Sequence, residues 1–199
     1  MEIHDILKLA GGLIAMGLYV PMIVEIIQAR GAGQSFASWG LWAVLDSILT
    51  ITLWQQHGNY LLSLGFALGG IVLAVVLLVQ GGWAWGKFET VIALMVLAGI
   101  AVWKFSGPRN ATIAVTAAVC IAGIPGFVEM LRKPQPAAGK LWAGFTVANV
   151  LAFFGGTAMT VEERLVPTAF IGLCGLMVLA CWWPAKKISL GTKTDIAPN

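Results

Sequence analysis

Charge is what this sequence has least of: Asp, Glu, Lys and Arg together make up 11% of its 199 residues, too little to coat a water-soluble domain. Histidine is rarer still, with only His4 and His57. His4 falls at the N-terminus and His57 in a break between apolar runs, so neither suggests a metal site and none is expected. The three cysteines, Cys120, Cys174 and Cys181, all fall inside apolar runs, which argues against a disulfide scaffold or a thiolate metal site. No His, Cys and carboxylate set stands together as nucleophile and base, so the chain is not read as an enzyme and no cofactor is expected. The first residues, Met1-Glu2-Ile3-His4-Asp5, lack the basic region of a signal peptide, and Leu13 to Val20 lacks a cleavage site. The first apolar run is therefore expected to be a retained helix. Every polar stretch is short, which leaves no room for a soluble catalytic domain.

What the sequence does have is apolar length: 59% of its residues are hydrophobic and the mean hydropathy is +0.87. About 20 such residues cross a bilayer once. Runs between polar breaks predict an all-α membrane protein with seven transmembrane helices, at 7–28, 36–55, 60–79, 89–104, 110–131, 140–159 and 164–184, the fourth being the shortest. The breaks carry turn chemistry, as in Gln55-Gln56-His57-Gly58-Asn59 and Lys133-Pro134-Gln135-Pro136.

Of the twelve Lys and Arg, eight (Arg30, Lys87, Arg132, Lys133, Lys140, Lys186, Lys187 and Lys193) fall on one side of these spans and four (Lys8, Lys104, Arg109 and Arg164) on the other. The positive-inside rule puts the first side in the cytoplasm, so the N-terminus is expected outside and the C-terminus inside. The net charge of +3 follows from this bias and gives no reason to expect nucleic acid as a partner. The short loops and tail favour a bacterial inner membrane.

Sliding the chain along itself reveals an internal repeat. Val20-Pro21-Met22-Ile23-Val24-Glu25-Ile26-Ile27 aligns with Ile124-Pro125-Gly126-Phe127-Val128-Glu129-Met130-Leu131, each with a proline late in the helix and a glutamate four residues on. After a one-residue gap, Trp39, Trp42, Asp46 and Thr50 fall on Trp142, Phe145, Asn149 and Phe153. The expected organisation is a three-helix repeat over 1–82, a linker helix over 83–108, a second repeat over 109–187 and a disordered cytoplasmic tail over 188–199. An odd number of helices per repeat requires the linker if both repeats are to share one orientation, so the repeats are parallel.

The two late prolines and the stretch Gly33-Gln34-Ser35-Phe36-Ala37-Ser38-Trp39 make the chain similar to the SWEET and PQ-loop transporters. That resemblance implies the 3+1+3 helix arrangement with the N-terminus outside, and alternating-access transport of a small solute, sugar in many members. The chain departs from the family where Met22 and Gly126 follow the prolines in place of glutamine. The family's sugar-binding asparagine falls near Gly65 and Ala169, and its pocket tryptophan near Leu49 with Trp54 beyond.

Asp46 is the sharpest single residue. It sits mid-span, where a charge costs about 2.5–3.5 kcal/mol on insertion scales, so it must face water, a partner or the bundle interior. Trp39 and Trp42 share its helix face and suit stacking on a ligand, including a cationic one. The expected substrate-binding set is Trp39, Trp42, Asp46, Trp142, Phe145 and Asn149, and a carboxyl there is also a candidate for proton coupling. Asp46 hydrogen-bonded to Asn149, Ser47 or Thr50, and Trp39 and Trp42 in an interfacial belt, are the open alternatives. Pro21 and Pro125 are candidate hinges, or static kinks. Glu25 and Glu129 are candidate gates, or solvated interfacial charges. The expected function is transport of a sugar or other small polar or aromatic metabolite across the bilayer. A vitamin-precursor carrier, a proton-coupled amino-acid carrier and a non-transporting receptor of the same fold stay open, as does a homo-oligomer. A retinal protein is excluded because residues 165–185 contain no lysine.

Overall fold

The computed structural model describes residues 2–28 and 35–183. Arg30, Gly33, Gln34, Lys186, Lys187, Lys193 and the expected tail lie outside the described residues. The chain folds into α1 (Ile3–Gln28), α2 (Phe36–Gln55), α3 (Leu61–Val79), α4 (Lys87–Ser106), α5 (Pro108–Arg132), α6 (Pro136–Gly155) and α7 (Val166–Cys181), the last entered through a π-helical turn at Val161–Leu165. No strand occurs among the described residues. All seven helices, α7 together with its π-turn, are long and apolar enough to cross a membrane. The chain is an integral, multi-pass membrane protein. Helices are what lipid permits, because each backbone N–H and C=O must find its partner within the segment.

Local chemistry sets the boundaries. Ser35 caps α2, its hydroxyl accepting the Ser38 N–H at 3.3 Å. At the start of α4, Glu89 reaches back to accept the Gly86 N–H at 2.8 Å. Gly107, at φ +84°, turns the chain out of α4 in a conformation that favours glycine, and Pro108 opens α5 where a missing N–H costs nothing. The second span and the third match the sequence expectation to within a residue. The sixth does not: expected at 140–159, it runs four residues earlier, Pro136–Gly155. Pro136 seeds its first turn, and Gly156 leaves it in an extended conformation. The fourth span, expected to be the shortest, reaches 20 residues.

Each of α1, α2, α5 and α6 contacts its partners in a closed circuit: α1 packs on α3 and α6, α2 on α3 and α5, and α7 joins α5 to α6. α4 lies outside this circuit against α2 and α5, burying only Ile92, Val96 and Gly99. Two apolar cores result. One gathers Leu45, Leu49 and Leu53 of α2 with Ile92, Val115, Val119 and Phe170. The other gathers Ala15 and Tyr19 of α1 with Leu62, Phe66, Leu73, Phe145 and Ala148. Large apolar side chains such as Val72, Val75, Leu94, Leu97 and Leu179 face outward, as lipid contact requires. Small residues let α1 and α3 touch: a side chain at Gly65 would strike the Gly12 carbonyl, and one at Gly69 would strike the Tyr19 ring.

Candidate functional site

Four helices and the start of a fifth send aromatic rings to one point in the bundle. Trp39 and Trp42 come from the first two turns of α2, and Asp46 follows on the same face one turn later, as the four-residue spacing dictates. Tyr19 comes from α1, Phe66 from α3, Trp142 and Phe145 from α6, and Phe170 and Leu173 from α7. Together they line a cavity of about 20 Å³, room for one water molecule. The rings are in mutual contact: Tyr19 lies edge-on to Phe145 at 5.6 Å and to Trp39 at 6.3 Å. Trp39 meets Trp42 at 5.8 Å and Trp142 meets Phe145 at 5.9 Å. Phe66 stacks on Phe170 at 5.2 Å and 23°.

Asp46 is the sole charged residue among those lining the cavity. It is 4% exposed, and its Oδ1 has no hydrogen-bond partner among the described residues. The hydroxyls next to it in sequence are engaged elsewhere: Ser47 donates to the Ala43 carbonyl at 2.7 Å and Thr50 to the Asp46 carbonyl at 2.8 Å. The expected partner Asn149 also looks away. It is fully buried, donates to the Phe145 carbonyl at 2.7 Å, and sits 4.0 Å from the Cys174 sulfur. No hydrogen bond joins it to Asp46, and it does not line the cavity.

Of the residues singled out in the sequence, Trp39, Trp42, Asp46, Trp142 and Phe145 are thus brought together and Asn149 stands apart. Tyr19, Phe66, Phe170 and Leu173 complete the wall and were not anticipated. Pro21 and Pro125 lie inside uninterrupted helices, and both residues are exposed. Glu25 and Glu129 are exposed, and among the described residues neither forms an ion pair.

A second polar group gathers at the end of the bundle that carries the N-terminus. Lys8 of α1 pairs with Glu163 of the π-turn at 3.0 Å, the two side chains 16% and 9% exposed. Arg164 donates to the carbonyls of Phe153, Gly156 and Ala158. Asn59 donates to the Ala152 carbonyl at 2.8 Å, and its own N–H reaches the Glu162 carbonyl. Across the bundle Gln56 donates to Thr112 at 2.9 Å, and Thr112 to Thr52 at 3.0 Å. These bonds tie α1 and α2 to α5, α6 and the π-turn at this end.

Comparison with family models, with curated proteins and with solved structures finds no match to the chain.

Proposed function

We propose that the chain is a small-solute transporter working by alternating access, with α1–α3 and α5–α7 as two parallel repeats and α4 as their linker. The observation that carries this reading is Asp46. A carboxyl buried in mid-span among aromatic rings, with an oxygen lacking a hydrogen-bond partner among the described residues, has no structural task that an apolar residue would not perform at lower cost.

The repeat reading draws support from the packing. Replacing α1, α2 and α3 by α5, α6 and α7 maps α1–α3 onto α5–α7, α2–α3 onto α6–α7, and α1–α6 onto α5–α2, all of which are contacts of the bundle. Phe66 and Phe170 stand as far apart in sequence as Pro21 and Pro125, and these two equivalent rings stack face to face. Trp39 and Trp142, and Trp42 and Phe145, are the other equivalent pairs at the cavity. The orientation we favour has the N-terminus outside and the C-terminus in the cytoplasm of a bacterial cell, on the eight-to-four Lys and Arg bias of the full sequence.

In this arrangement the polar end of the bundle is the outer one and is latched. The cavity, which takes Trp39 and Trp42 from the first two turns of α2 and Trp142 and Phe145 from the second and third turns of α6, lies toward the inner end. The structure then corresponds to a form shut toward the outside, and the cargo is a small polar or aromatic metabolite that binds once the rings part.

The test is thermal unfolding of the purified protein in detergent against a panel of sugars, amino acids, amines, nucleosides and vitamin precursors. A ligand at a hundred times its dissociation constant adds about 2.7 kcal/mol to the folded state, a readable shift. At least one class is expected to raise the midpoint, and Asp46→Asn to remove the shift without lowering the baseline. No shift with any class, or a shift indifferent to Asp46→Asn, overturns the reading.

A further inference from the structure

We infer that the cavity recognises a small organic ammonium ion; the inference rests on the transporter reading above and names its cargo class. Asp46 supplies the one carboxyl group among the described residues that line the cavity, a side chain whose ionised form is negative. Its side chain is more than nine-tenths buried, and Oδ1 is without a hydrogen-bond partner among the described residues. Among the described residues, no Lys, Arg or His lines the cavity. Lys8, a cation of the same bundle, is held by Glu163 at the N-terminal end.

Apart from Leu173, the remaining described wall is aromatic. Tyr19, Trp39, Trp42 and Trp142 surround the carboxyl together with three phenylalanines. Ring faces carry negative charge density and attract a cation, most strongly one already stripped of water. A carboxylate inside such a cage matches an alkylammonium group on both counts.

The same wall is unsuited to the other classes. An anion meets Asp46 with nothing to offset the repulsion. A sugar brings a hydroxyl on nearly every carbon, and the wall's polar groups are few, so most hydroxyls would be buried without partners. Because the cavity in this form holds about 20 Å³, the ammonium group enters when the rings separate, and closure of the rings around it is the step that its charge favours.

Choline and its uncharged isostere 3,3-dimethyl-1-butanol separate charge from shape. With the intact protein in detergent, choline is expected to raise the unfolding midpoint and the isostere to leave it unchanged. Asp46→Asn should weaken choline binding about tenfold or more, the loss that follows when a buried charge pair is broken, and Asp46→Glu should restore part of it. The comparison of the two probes on the wild-type protein needs no variant and stands if Asp46→Asn fails to fold. Equal effects of choline and the isostere, or no effect of either, overturn the ammonium inference. If a neutral sugar or amino acid then shifts the midpoint in an Asp46-dependent way, the transporter reading survives without it. Choline binding with no choline uptake by proteoliposomes leaves the ammonium site standing and sinks the transport reading instead.

Discussion

Between α1 and α3 the packing is decided atom by atom. Gly65 lies where any Cβ would meet the Gly12 carbonyl, a backbone atom that cannot swing away. Gly65→Ala is expected to lower stability by about 1–3 kcal/mol, the usual cost of overpacking, read as a fall in the unfolding midpoint in detergent. Gly172→Ala is the control: nothing lies within 4 Å of its added Cβ, so the midpoint should hold or rise slightly. Equal effects at the two positions would mean that helix contact at Gly65 is looser than its geometry requires. The same scale explains what the sequence revealed of the cavity. Asp46 stood out because a charge in an apolar run has few explanations, and Trp39 and Trp42 followed from its helical spacing. Phe66 and Phe170 did not stand out, because a phenylalanine on an apolar helix looks the same whether it packs a core or lines a cavity. Tyr19, one of two tyrosines in the chain, and the matched spacing of the two phenylalanines were the signals on offer. Only repeat alignment pairs Asn149 with Asp46, and equivalence under a repeat puts two residues at matching places in their own halves without by itself bringing them into contact.

Helices were legible as existing elements because lipid demands long apolar runs, but their ends were not. The α6 boundary slipped by four residues because Lys140 reads as a loop charge. Yet a lysine one turn into a helix, exposed at the membrane surface, extends its ammonium into water. Pro136 was the better signal. The prolines of α1 and α5 belong to this scale too. Each removes one backbone hydrogen bond inside its helix and is itself exposed, so replacing it disturbs no core packing. Pro21→Ala and Pro125→Ala are expected to keep or raise the unfolding midpoint, since proline disfavours a helix interior by about 3 kcal/mol relative to alanine. If these prolines serve as hinges, uptake of the identified cargo by proteoliposomes should fall in both variants. Unchanged uptake would make them static kinks.

Taken whole, the molecule is bonded unevenly: the end carrying the N-terminus holds the Lys8–Glu163 pair and the Gln56–Thr112–Thr52 chain, while the cavity lies toward the other. Breaking the pair should favour the form that opens at that end. Cys174, 2% exposed and next in sequence to the cavity residue Leu173, reports on it. In a background with Cys120→Ser and Cys181→Ser, Lys8→Ala is expected to speed alkylation of Cys174 by N-ethylmaleimide several-fold, and Glu163→Gln to do the same. An unchanged rate in both would show that the pair braces the fold without governing access. Neither this ion pair nor the polar chain across the bundle is visible in the sequence, since Lys8 and Glu163 are separated by 155 positions and only folding brings them within 3.0 Å.

The stacked Phe66 and Phe170 carry a consequence for descent. If the halves arose by duplication, each ring is the other's counterpart, and the two copies of that side chain face one another. A change in one copy is tested at once against the other. On that descent, the two halves could not drift apart independently at this point, however far their surfaces diverged.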